Sequence, residues 1–153
     1  MLGRTYDGQV CSVARSLEIV GERWTLLVLR DAFLGVRRFD EFQRSLGIAR
    51  NVLTARLGRL VEEGVLERVA YQERPQRFEY RLTEKGLGLW PVIVSLLHWG
   101  DRYYGEEAGP PRIIEHRGCG GRITERLTCD RCGAELGPRD VQARPGPGLR
   151  DAA

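Results

Sequence analysis

The sequence predicts a mainly α chain with a small β-hairpin (α+β), a winged helix-turn-helix, carrying a small C-terminal zinc-ribbon-like appendage. Three observations predict it. Residues 39–82 run helix, tight turn, helix, hairpin, the order that lays one helix in the DNA major groove with a hairpin beside it. The second helix of that pair has one apolar stripe and one face free of large apolar residues. Three of the four cysteines and one of the two histidines then fall within positions 116–132, as two close pairs.

Val13 to Val20 carries a stripe of Val13, Leu17 and Val20 and predicts a first helix. Arg23 to Leu34 is apolar nearly all round, which predicts a buried core helix with Trp24 and Phe33 as its largest members. The short helix Phe39 to Leu46 turns at Gly47-Ile48 into a second, Ala49 to Glu63, where Leu53, Leu57 and Leu60 share one buried stripe. At about 100° per residue, Asn51, Thr54, Ala55 and Gly58 fall on the opposite face, with Arg50 and Arg59 on its flanks. Asn pairs bidentately with adenine, Thr offers a hydroxyl or methyl, Arg reaches guanine or phosphate, and small residues allow close approach. Arg50, Asn51, Thr54, Ala55 and Arg59, with Arg38 just ahead of the pair, are the expected DNA contacts on these helices; the plainer reading is a solvated helix face.

After Gly64, Leu66 to Tyr71 and Arg77 to Leu82 alternate as strands, with Val69 and Tyr71 on one side of the first and Phe78, Tyr80 and Leu82 on one side of the second. Arg74 and Arg77 flank Pro75 at the tip, where arginine can enter a narrow minor groove or pair with phosphate. The plainer reading of Arg74 is a solubilising residue paired with Glu73. Thr83 caps a helix from Glu84 to about Tyr104, interrupted near Pro91. Its apolar positions, Leu89, Val92, Ile93, Leu96, Leu97, Trp99 and Tyr103, exceed what one small core needs. A homodimer packed through this helix and the first would set two recognition helices on an inverted-repeat operator in double-stranded DNA. The alternative is that the last helix folds back on its own domain.

Residues 1–104 are thus expected to form the DNA-binding and dimerisation domain, 105–111 a Gly/Pro linker, 112–140 the appendage and 141–153 a disordered Pro/Gly-rich tail. In the appendage His116 and Cys119 are separated by two residues, as are Cys129 and Cys132, each pair followed by a glycine. Tetrahedral zinc takes four such ligands in two close pairs, so one structural Zn2+ per chain is expected, with Ile123 to Leu127 as a strand between the knuckles. So small a segment builds no core of its own. A redox Cys129/Cys132 dithiol, or unrelated cysteines in a disordered tail, are the alternatives. His98, among Leu96, Leu97 and Trp99, reads as a packing histidine.

Several separated motifs resemble the HxlR-type transcriptional regulators. They are Cys11-Ser12-Val13-Ala14-Arg15, Gly21-Glu22-Arg23-Trp24-Thr25 through Asp31, Arg37-Arg38-Phe39-Asp40-Glu41-Phe42, Val52 to Leu57, Tyr80-Arg81-Leu82-Thr83 and Pro91 to Gly100. The resemblance covers about residues 9–104. It implies a dimeric winged-helix DNA-binding regulator, often a repressor, and a cysteine at the position of Cys11 that senses electrophiles or oxidants. Family members often have Cys-Pro where this chain has Cys11-Ser12. From the residues alone, Cys11 stands just ahead of a helix with Arg15 one turn on, both favouring thiolate; an inert cysteine is the alternative.

At 153 residues and 42% hydrophobic content the chain is long enough for a real core. A net charge of +3 and a pI near 8.8 are compatible with nucleic acid. Lys85 is the only lysine among 24 basic residues, but the arginine skew runs the whole length and points to genome composition rather than to a site. No apolar run suggests a signal peptide or a membrane span, so a cytoplasmic protein without a membrane partner is expected. No phosphate loop, nucleophile elbow or His/carboxylate constellation argues for an enzyme. The rival class is a winged-helix/zinc-ribbon protein-interaction module without sequence-specific DNA binding; exposed apolar residues on the recognition face would mark it.

Overall fold

The structure, a computed structural model, describes residues 5–6, 8–105 and 107–147. Among the described residues six helices and two strands follow in order: α1 Ser12–Val20, α2 Thr25–Phe33, α3 Phe39–Leu46, α4 Arg50–Glu62, β1 Leu66–Glu73, β2 Gln76–Leu82, α5 Glu84–Leu87 and α6 Trp90–Tyr104. β1 and β2 pair antiparallel as the wing after the helix pair, so the winged helix-turn-helix is present. The chain divides into two compact units, residues 1–94 and 95–153, with the division inside α6.

Local chemistry sets the ends of the two central helices. Gly47 closes α3 in the left-handed region (φ 62°), and its amide donates to the Gln43 carbonyl at 2.9 Å. Gly64 (φ 66°) closes α4: its amide donates to Val61 and the Val65 amide to Leu60, a Schellman pair that turns the chain directly into β1. The Thr83 hydroxyl accepts the Gly86 amide at 3.1 Å and caps α5. Gly86 is needed for another reason, since a Cβ there would lie 2.2 Å from the Val65 carbonyl oxygen. The last helical stretch breaks at Gly88-Leu89 rather than at Pro91, which sits in the first turn of α6, where a missing N–H is tolerated.

Leu53, Leu57 and Leu60 of α4 are buried as expected, against Val28, Leu29, Phe42, Val65 and Leu66. The large residue at the centre is Phe42 of the short α3, not Trp24 or Phe33, which are only partly buried. The reason is position along the helix: Val28 and Leu29 occupy the middle of α2, while Trp24 is its N-cap and Phe33 its last residue, stacked on Trp90 with centroids 5.1 Å apart. Asp31 is an exception to the apolar reading of α2: it is buried, Oδ1 held by Arg30 at 2.8 Å, with Oδ2 unbonded.

The wing differs from expectation in length and register. Its strands extend to Glu73 and Gln76, leaving Arg74-Pro75 as the turn. A bulge between Ala70 and Gln72 inserts Tyr71 as an extra residue, so the alternation pairing it with Val69 is broken and Tyr71 is exposed. In the C-terminal unit, Ile123 to Leu127 forms no strand. Its flanks make only isolated bridges, Glu115 with Arg122 and Thr128 with Glu135, because the backbone bonds close across each Cys/His pair instead of between the pairs. Residues 141–146 carry no helix or strand, and 148–153 of the expected tail lie outside the described residues. Among the described residues no helix is long and apolar enough to cross a membrane.

Candidate nucleic-acid interface

α4 presents Arg50, Asn51, Thr54, Ala55, Gly58 and Arg59 to solvent, all exposed, while its leucines face the core. No large apolar side chain interrupts that face. The exposed Thr54 donates its hydroxyl proton to the Arg50 carbonyl (2.8 Å), so its oxygen remains available only as an acceptor. The two flanking arginines differ. Arg50 lies over the Phe39 ring at 4.7 Å, whereas Arg59 is engaged within its own helix by Glu63 at 2.7 Å and Glu62 at 3.9 Å. The base-reading potential of α4 therefore concentrates toward its N-terminal half.

Between that half and the wing lies an open cleft of about 540 Å³ lined by Arg38, Arg44, Arg50, Arg68 and Arg77 with Phe39, Tyr71 and Phe78. Three guanidinium groups rest on aromatic faces: Arg38 on Tyr71 at 4.6 Å, Arg50 on Phe39 at 4.7 Å and Arg68 on Phe78 at 3.6 Å. Stacking fixes the plane of the guanidinium and leaves its N–H edges free to meet phosphate or base oxygens. Arg38 is carried into the cleft by backbone pairing: it bridges Glu79 of β2, and the Tyr80 amide donates to the neighbouring Arg37 carbonyl at 2.7 Å. Of the two carboxylates at the rim, Asp40 and Glu41, the second is occupied. Its Oε2 accepts the Arg38 amide at 3.1 Å and caps α3, and that bond, followed by the Arg37 amide and the charges of Arg38 and Arg44, holds Glu41 below the usual carboxylate range.

Arg74 stands in the wing turn as expected, but Arg77 lies in β2 opposite Gln72 and faces the cleft rather than flanking the tip. Arg44 and Arg68 escaped sequence reading. Arg44 lies on the helix before α4, and Arg68 on a strand where it pairs with Tyr80 of β2 and meets the Phe78 ring; no motif marks either.

Cys11 is the N-cap of α1 and is exposed. The backbone amides of Ala14 and then Val13, with the charge of Arg15, lower its thiol below the ordinary range. In the C-terminal unit His116 Nδ1 lies 3.3 Å from Cys119 Sγ. The amides of Cys132 and Arg131, and the Cys132 thiol, lower Cys129. The two members of each pair lie against one another, and among the described residues no three His, Cys, Asp or Glu side chains are gathered into one metal-sized group. His98 is half-buried with Nδ1 3.2 Å from Glu125 Oε1, so it faces a carboxylate rather than an apolar neighbour alone.

This geometry has relatives. An uncharacterized HTH-type transcriptional regulator of Mycobacterium tuberculosis, Rv3095, is 50% identical over 149 residues, covering 97% of this chain and 93% of its own length. The crystal structure of PA1607, described as a candidate transcription factor, superposes with a TM-score of 0.83 at 37% identity, over 92% of this chain and 99% of that one. The reduced form of a redox regulator, HypR, matches 61% of this chain and 94% of its own with a TM-score of 0.58 and 30% identity. The family model described as HxlR-like helix-turn-helix matches residues 19–108. With the helix pair, the wing and these relatives in agreement, the chain belongs to the HxlR-like helix-turn-helix family of DNA-binding transcriptional regulators.

Proposed function

We propose that the chain is a homodimeric, cytoplasmic repressor that reads an inverted-repeat operator with the N-terminal half of α4 and grips the flanking phosphates with the arginine cleft and the wing. The observation that carries this is the exposed face of Arg50, Asn51, Thr54 and Ala55, free of large apolar side chains, beside four further arginines, Arg38, Arg44, Arg68 and Arg77. A protein-binding winged helix would expose apolar residues there. Dimerisation is supported by exposed apolar side chains on two helices: Val13 and Leu17 of α1, and Val92, Leu96, Trp99 and Tyr103 of α6. Repression is the mode that the family resemblance implies.

Cys11 is the proposed sensor of electrophiles or oxidants. Its support is an exposed, amide-stabilised thiol at the start of α1, a helix whose apolar stripe is open to a partner, and the likeness to the redox regulator HypR. Modification would alter the helix that packs the dimer and so change DNA affinity.

Selection of bound fragments from random DNA by the purified protein tests the reading. A palindromic consensus is expected, with Asn51→Ala losing about 1–3 kcal/mol on the selected site and little on random DNA. Equal losses on both DNAs would remove Asn51 as a base reader, and no consensus at all would favour the protein-interaction module. Mobility shifts before and after a quinone, on wild type and Cys11→Ser, test the sensor; identical responses in the two proteins discard it.

A further inference from the structure

The C-terminal unit contains the same turn twice. In the first, the Gly120 amide donates to the His116 carbonyl (2.8 Å) and the His116 amide to Gly121 (2.8 Å). In the second, the Gly133 amide donates to the Cys129 carbonyl (2.9 Å) and the Cys129 amide to Ala134 (2.9 Å). The bridges repeat as well: Glu115 with Arg122 is one residue before the first ligand to six after it, and Thr128 with Glu135 is the same pairing in the second copy. Gly120 and Gly133 both adopt the left-handed region, at φ 71° and 73°. His116 therefore occupies in one turn the place that Cys129 occupies in the other.

That equivalence separates the explanations. A dithiol function is open to Cys129 and Cys132 but not to a histidine and a cysteine. Imidazole and thiolate at equivalent positions of equivalent turns, each with a cysteine three residues on, share the ligation of a borderline-soft cation. Burial supplies no alternative reason for the conformation, since none of the described residues from 95 to 147 is buried. We infer that His116, Cys119, Cys129 and Cys132 are the four ligands of one structural zinc ion, the two turns being its prebuilt halves and the ion itself the link between them.

Three thiolates and a neutral imidazole leave the loaded site with one net negative charge, which Arg117, Arg122 and Arg131, all within or beside the turns, offset. Binding expels the thiol protons, so acid favours release. Between the halves, Glu125 accepts Arg102 of α6 at 3.3 Å and lies against His98. Closing the turns around an ion also fixes the segment that holds these contacts.

The test is elemental analysis of the full chain, purified reduced and without added metal, followed by replacement with cobalt. About one zinc per chain is expected, with the visible ligand-field bands of a tetrahedral cobalt site and thiolate charge-transfer bands in the near ultraviolet. Cys129→Ser and His116→Ala should lose metal, while His116→Cys should retain it. Far-ultraviolet circular dichroism checks that each variant keeps its helices. Metal near zero with a Cys129–Cys132 disulfide forming on oxidation would overturn the inference. So would about half an ion per chain, which places the ion between two chains, or full metal retention in both His116→Ala and Cys119→Ser.

Discussion

In residues 1–94 order comes from a shared interior: Phe42, Leu29, Leu53, Leu57, Leu60 and Leu66 have essentially no solvent exposure and come from four different elements. In the unit from 95 onward no described residue is buried, and beyond the end of α6 the regular features are two short turns closed by their own backbone bonds. The first arrangement is cooperative, because every element loses its partner if one leaves. The second is modular, because each turn satisfies its own amides, and anything holding the two together must come from outside the backbone. That difference explains why the face proposed to read DNA is built on the first unit. Reading bases needs side chains held to within fractions of an ångström, and a packed core supplies that rigidity.

The largest effect expected from breaking the contrast is in the core. Phe42→Ala should lower unfolding stability by about 3–5 kcal/mol, while Leu127→Ala, at a site 74% exposed, should stay within about 0.5 kcal/mol. Urea denaturation of both variants measures it, and comparable losses would mean that the C-terminal unit has an interior of its own.

A smaller effect sharpens the role of helix ends in the first unit. Thr83→Ala removes the acceptor for the Gly86 amide and the hydroxyl's own bond to the Gly64 carbonyl at 2.6 Å, and should cost about 1 kcal/mol. Thr83→Ser should recover most of it.

In the C-terminal unit a backbone change should act on ligation rather than on global stability. Gly133→Ala puts a Cβ on a residue with φ 73°, about 1 kcal/mol of local strain. Zinc release to a chromophoric chelator should accelerate while the melting of the core stays unchanged. A shifted core transition with unchanged release would contradict the separation of the units.

The smallest effect depends on pH. Glu41 is held below the ordinary carboxylate range by the Arg38 amide, so its ionised form stabilises the folded chain above that range, and the contribution is lost as pH falls through the depressed value. Glu41→Gln should therefore lower the urea midpoint slightly at neutral pH and not at strongly acid pH. An equal deficit at both would assign the effect to lost packing.

Much of the fold was legible because its signals are local. Gly47, Gly64 and Thr83 mark helix ends by conformational and hydrogen-bonding needs confined to a few residues, and the stripe of Leu53, Leu57 and Leu60 shows its period within one helix. The exposed face of α4 follows from that stripe by geometry alone. The spacing of His116, Cys119, Cys129 and Cys132 likewise implied paired turns, whose hydrogen bonds close within six residues. What the sequence by itself determined was thus the order of the winged-helix elements, the polarity of the exposed face of α4 and the places of the two C-terminal turns. Only the tertiary structure decided which aromatic sits at the centre, that a bulge at Tyr71 reaims the wing, and that Arg38, Arg44, Arg68 and Arg77, from a loop, a helix and two strands, converge with Arg50 on one cleft. Periodicity reports which residues share a face of one element, but convergence depends on how faces of separate elements meet, and that is set by packing around Phe42 and by strand register, neither of which any short stretch of sequence encodes.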